Sequence, residues 1–148
     1  MRKGKSPRSS ERGATLVEYA IALSVFLVSM FAVIEFGRAL WVHNALADAA
    51  RRGARYAALH SAADAADVKN VVVYGDPAGG SQAMLPNLTT TNVSVTYSGF
   101  GLNTGTVTVS ITDYQFQFVV PIVGTTITMP AYSTTLTGEN GGFIPDDM

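Results

Sequence analysis

Sixteen consecutive residues without a charge, Tyr19 to Ile34 (YAIALSVFLVSMFAVI), constrain this 148-residue chain more than any other feature. Counted from Ala14, the apolar stretch is 21 residues long, about 30 Å at the helical rise, which is enough to span the hydrocarbon core of a bilayer. A buried core helix could have this length, but the charges on either side argue for insertion. Residues 1–13 carry Arg2, Lys3, Lys5, Arg8 and Arg12 against Glu11 alone. After Lys69 there is no basic residue, while Asp76, Asp113, Glu139, Asp146 and Asp147 follow. Basic flanks stay on the cytoplasmic side during insertion, so the head is expected inside and the acidic remainder outside. The same arrangement disfavours nucleic acid as a partner, because the basic residues lie directly before the membrane segment.

Only 14% of residues are charged, against about 25% in an average soluble domain, which fits a membrane or packed assembly. The absence of cysteine excludes disulfides and thiolate metal sites. Residues 1–13, rich in Ser, Gly and Pro, read as an unstructured basic leader. No proline occurs between Pro7 and Pro77, so the helix is free to continue past the membrane surface. Twelve alanines between Ala39 and Ala66 support helix through residue 66. Two columns at four-residue spacing hold only small residues: Ala45, Ala49, Gly53, Ala57, Ser61, Ala65, and Ala50, Ala54, Ala58, Ala62, Ala66. Residues four apart share a helix face, so this side is smooth enough for close packing; alternatively, alanine simply fills an exposed helix.

Beyond Asp67 the pattern becomes β-rich, with runs at Val71–Tyr74, Asn92–Ser98, Thr106–Thr112, Tyr114–Val120 and Thr125–Leu136. Val93, Val95 and Tyr97 alternate, as do Val107, Val109 and Ile111. Apolar parity then shifts to Tyr114, Phe116 and Phe118, which requires a bulge or turn near Thr112–Asp113. Turns are expected at Gly75–Gly80, Gly99–Gly105 and Pro121–Gly124, and a loose acidic tail from Gly138. The expected fold is α+β: a long N-terminal membrane and assembly helix, then a small antiparallel sheet. The expected parts are a leader (1–13), a transmembrane helix (14–36), an alanine-rich extracytoplasmic helix (37–66) and a β-rich extracytoplasmic domain (67–148).

The sharpest local pattern is Arg12-Gly13-Ala14-Thr15-Leu16-Val17-Glu18-Tyr19. A carboxylate at the start of a membrane helix is costly and usually marks function. If the chain is cut after Gly13, the new ammonium at Ala14 lies in the same apolar region, and Glu18 of a neighbouring copy can neutralise it. Either charge buried alone costs several kcal/mol, so the pair favours staggered helix packing.

Gly13-Ala14 with Glu18-Tyr19 resembles the cleavage and assembly motif of type IV prepilins, the Flp/Tad branch above all. Glu35-Phe36-Gly37-Arg38 and Ala49-Ala50-Arg51-Arg52-Gly53-Ala54-Arg55-Tyr56-Ala57 resemble two signatures of TadE-like proteins. The likeness is specific over residues 12–57 and loose beyond. It implies a TadE-like minor pseudopilin in the inner membrane, cut between Gly13 and Ala14 by a prepilin peptidase. It implies as partners other minor pseudopilins, the major Flp pilin, the inner-membrane pilus platform and membrane lipid, in a fibre serving adherence and biofilm formation. Glu35 and Arg38 either form a local ion pair or contact a partner; Gly37, Gly53 and Arg55 share the signatures.

An enzyme is not expected, nor a cofactor or metal. His43 and His60 lie seventeen residues apart, outside metal-pair spacing. The Gly75–Gly80 stretch lacks the lysine and Ser/Thr of a phosphate loop. Two other classes remain open. One is a secreted protein cut after Ala45-Leu46-Ala47, which would leave an unusually long charged segment before the cut. The other is an uncleaved single-pass envelope scaffold or adhesin outside any pilus.

Overall fold

The structure is a computed structural model and describes residues 8–99, 105–120 and 126–137, with side chains from Gly13 onward. The chain divides into two units, Met1–Arg38 and Ala39–Met148. Helix α1 (Arg8–Ala58) includes residues 8–12, within the stretch expected to be an irregular leader. Between Arg8 and Arg12 no residue opposes helix.

In the first unit α1 is apolar and exposed. Leu16, Val17, Ile21 and Phe26 are each more than three-fifths exposed. The polar side chains within the run are satisfied locally. Ser24 Oγ donates to the Ala20 carbonyl and Ser29 Oγ to the Val25 carbonyl, each at 2.8 Å. Such bonds to the preceding turn satisfy both serine hydroxyls without water.

In the second unit the rest of α1 buries one stripe: Val42, Leu46, Ala49, Ala50, Ala54 and Ala57. That spacing of three and four is the signature of a helix packed on one face. Ala49, Gly53 and Ala57 of one column and Ala50 and Ala54 of the other are therefore core, while Ser61, Ala62 and Ala66 are exposed. Helix α1 stops at Ala58, eight residues before the expected end. Ser61 is extended (φ −77°, ψ 163°), and the Asp64 carboxylate accepts from both its N–H and its hydroxyl, at 3.1 and 3.0 Å. This local pairing starts a 3₁₀ turn (Ala62–Asp64) in place of another turn of α1.

Helix α2 (Ala65–Tyr74) follows and overturns the strand expected at Val71–Tyr74. The valines fill a helical face: Val68 and Val72 lie one turn apart, flanked by Val71 and Val73, all buried. Gly75 then ends the helix in the left-handed region (φ 80°), its N–H donating to the Val71 carbonyl at 3.1 Å. Burial of this face outweighs the weak β preference of valine.

The strands are β1 (Val93–Ser98), β2 (Thr106–Ile111), β3 (Gln115–Gln117), β4 (Thr126–Thr128) and β5 (Tyr132–Thr137). One antiparallel sheet has the order β1-β2-β5, with Val95 opposite Val109 and Val109 opposite Thr134. Val107, Val109 and Ile111 are fully buried, as the alternation required. The other face carries hydroxyl pairs, Thr108 with Thr135 at 2.8 Å and Ser110 with Ser133 at 3.0 Å. The parity shift is accomplished at Asp113, whose φ of 57° turns the chain between β2 and β3.

Two expected strands are shorter than their apolar patterns. Tyr114–Val120 contributes only Gln115–Gln117, paired with Thr126–Thr128. The run from Thr125 to Leu136 breaks into β4 and β5 at Met129-Pro130-Ala131, because Pro130 cannot donate to a ladder. The turn expected at Pro121–Gly124, most of that at Gly99–Gly105, and the tail from Gly138 lie outside the described residues.

Candidate functional site

The residues singled out from the sequence fall into two groups. Gly13, Ala14, Glu18 and Tyr19 lie near the start of α1, all exposed. A Cβ built on Gly13 would meet nothing within 4 Å, and the same holds at Gly37. Among the described residues no packing requires glycine at either position. From Gly13 onward α1 is long and apolar enough to cross a membrane, and none of its most apolar window is buried.

Glu35 is buried (3% exposed), and Arg38, one turn further on with its side chain 40% exposed, is its ion-pair partner. A buried carboxylate without a cation costs several kcal/mol, so this arginine has a structural task. Its longer stem lets the guanidinium reach water while the pair stays closed.

Gly53 and Arg55 belong to the second unit. Arg55 is exposed in the last turn of α1, where a cation suits the helix dipole. Gly53 is buried, and a Cβ there would lie 2.3 Å from Val72 Cγ2 and 3.3 Å from Val109 Cγ1. There α1 lies close against both α2 and β2.

Sequence reasoning missed two arrangements in this unit. His43 Nδ1 and the Tyr132 hydroxyl are 2.8 Å apart, with ring centroids 5.1 Å apart in an edge-on arrangement, tying α1 to β5. The second is a groove of about 190 Å³ lined by Trp41, Ala45 and Arg52 of α1, Val72 of α2, and Met84 and Leu88 of the segment between α2 and β1. The 89-residue separation of His43 and Tyr132 left no local signal, and neither did the loop wall of the groove. Among the described residues no group of His, Asp or Glu could hold a metal.

Three tyrosines in this unit have raised pKa values. Burial raises Tyr132; burial and then Asp64 raise Tyr97; burial, then Asp67 and Asp64, raise Tyr56. A phenol whose folded pKa exceeds its unfolded one gives stability that is complete below the unfolded value, about 10, and is lost as pH rises through the folded value. The domain is expected to lose stability steadily above about pH 10, and Tyr132→Phe to make that loss shallower. Thermal melts of the full chain in detergent at rising pH check this; an unchanged pH slope in the variant would contradict it.

Comparison with known proteins gives one match. Residues 13–55 fit the family model described as TadE-like protein. No curated protein and no solved structure matches. That family is one of pilus components and is not known for enzymatic activity. Together with the apolar helix, the match suits a membrane-anchored protein of a Tad-type pilus. The fitted segment opens at Gly13 and closes in the last turn of α1, and over that segment this chain is similar to the TadE-like proteins of the Tad system.

Proposed function

We propose that this protein is a minor, pilin-like component of a Tad/Flp pilus system, inserted with its N-terminus in the cytoplasm. A prepilin peptidase removes residues 1–13, and the mature protein supports pilus biogenesis, surface adherence and biofilm formation beside other minor pseudopilins and the major pilin. The observation that carries this reading is the coincidence at Gly13. The family match begins there, and among the described residues no packing demands a glycine there. A small, uncrowded residue suits recognition by an external enzyme.

The chemistry after cutting supports the same reading. Ala14 would become an ammonium four residues before Glu18, both on an exposed apolar helix. A helix packing beside an identical or similar one can satisfy both charges by a stagger of about one turn, 5.4 Å. Tyr19 follows Glu18 and is 66% exposed, available to the same neighbour. Glu35, Gly37 and Arg38 would then lie at the outer end of the span, toward the pilus platform or a partner subunit.

Mass spectrometry of the protein recovered from membranes tests this directly. The expected N-terminus is Ala14, and Gly13→Ala is expected to leave most of the protein with its leader. An intact Met1 or Arg2 in the unaltered protein would replace the pilus reading with that of an uncleaved envelope anchor, and an N-terminus at Asp48 with that of a secreted protein.

A further inference from the structure

Exposed large apolar residues recur in every turn of α1 from Leu16 through Val33, Ile34, Phe36, Leu40 and Trp41, and there they stop. The next two large apolar residues of the helix, Val42 and Leu46, are 5% and 0% exposed, and Leu59, the next exposed one, lies past the end of α1. Along α1 the exposed large apolar residues thus end at Trp41, which is 61% exposed, with Leu40 beside it at 48%. A residue of this size is left uncovered in water only at a cost, and tryptophan is enriched where apolar and wet surroundings meet.

The lengths agree with a particular partner. From Leu16 to Trp41 the helical rise is about 38 Å, more than the 30 Å hydrocarbon core and less than the roughly 40–45 Å of a whole bilayer with its headgroups. Trp41 lies five residues, about 7.5 Å of rise, beyond Phe36, which is close to the depth of one headgroup layer. The ion pair of Glu35 and Arg38 brackets Phe36, and the arginine stem can reach up to the polar zone.

We propose that Trp41, with Leu40, seats in the outer headgroup layer of the membrane and sets the depth at which α1 crosses it. This rests on the membrane-anchored reading and adds a lipid contact made by the second unit itself. The indole ring lies among the acyl–glycerol boundary and its N–H donates to lipid carbonyl or phosphate oxygens. The domain is thereby held at a fixed height, with Val42 and Leu46 the first residues of its own core.

Trp41 is the only tryptophan of the chain, so the emission of the full protein reports on this position alone. The full chain is reconstituted into vesicles of phosphatidylethanolamine and phosphatidylglycerol containing lipid brominated either high on the acyl chain or near the bilayer centre. The expected result is loss of most of the emission with bromine placed high, little loss with bromine at the centre, and weak quenching by aqueous acrylamide. Strong acrylamide quenching with no effect of bromine would overturn the proposal, placing Trp41 in water. Stronger quenching from the bilayer centre would overturn it by placing Trp41 in the hydrocarbon. Shielding from both quenchers would also overturn it, since Trp41 would then be covered by protein. Met84→Ala removes a side chain that lines the groove with Trp41, and the bromine effect is expected to survive it. Vesicle flotation and resistance to alkaline extraction test the anchor separately. A protein that floats and resists extraction while its emission ignores brominated lipid loses only the headgroup contact.

Discussion

Gly53→Leu is expected to unfold the second unit, and Gly53→Ala to destabilise it by about 2 kcal/mol, although alanine is the better helix former by about 1 kcal/mol. The reason is the space available. An alanine Cβ would lie 2.3 Å from Val72 Cγ2, where carbon atoms in contact prefer about 3.5–4.0 Å. Valine cannot swing aside cheaply, because a β-branched residue in a helix has one strongly preferred χ1. Nor can α2 retreat as a body, since Val68, Val72 and Val73 are fully buried. On the other flank, Val109 Cγ1 at 3.3 Å holds β2 against the same point. Thermal or denaturant unfolding of the full chain in detergent measures the loss. A double-variant cycle with Val72→Ala isolates its cause, because the methyl introduced at position 53 would occupy the space vacated by the valine. The pair is expected to be less damaging than the sum of the two single changes. A Gly53→Ala protein as stable as the unaltered one would show that the contact relaxes without cost, and the close-approach argument would fail.

That glycine also shows where sequence reasoning succeeds and where it stops. Its place in a small-residue column is visible in the sequence, and the column predicts close packing. The partners are not visible, because Val72 reads as part of a strand and Val109 lies 56 residues away in another element. The error at Val71–Tyr74 has a definite source. Three consecutive valines satisfy a strand pattern by composition, and only the burial of Val68 one turn earlier, with a left-handed Gly75 one residue after the run, discloses a helix. Strands with true alternation are legible, since Val107, Val109 and Ile111 can face a core only one way. Strand length is less so: β3 and β4 stop after three residues each, because each can pair only as far as the other reaches. At the N-terminal site the motif residues stand on the expected exposed helix. Their consequence is an event between molecules, which the conformation of a single chain does not contain.

Glu18→Gln is therefore the variant expected to separate insertion from assembly most completely. Glu18 is exposed in the first unit, near the start of a helix whose following residues are apolar and uncharged as far as Ile34. Glutamine keeps the shape and removes the charge, so the cost of placing this position in lipid falls and membrane levels are expected to hold or rise. The proposed neighbour still presents the ammonium of its Ala14, now with no carboxylate opposite. Removing one partner of a buried ion pair costs about 3–5 kcal/mol, and at 1.4 kcal/mol per factor of ten that is at least a hundredfold loss in association at each subunit contact. Glu18→Asp, one methylene shorter, is expected to recover part of the loss, because the charge remains while the reach decreases. The measurement has three arms: flotation for insertion, mass spectrometry for removal of residues 1–13, and site-directed crosslinking between introduced cysteines near Ala14 and Glu18 for packing. Insertion and processing intact with crosslinking lost is the expected pattern. Crosslinking at the unaltered level in Glu18→Gln would mean that the stagger is set by apolar packing alone, with Leu16, Val17 and Tyr19 the residues to alter next.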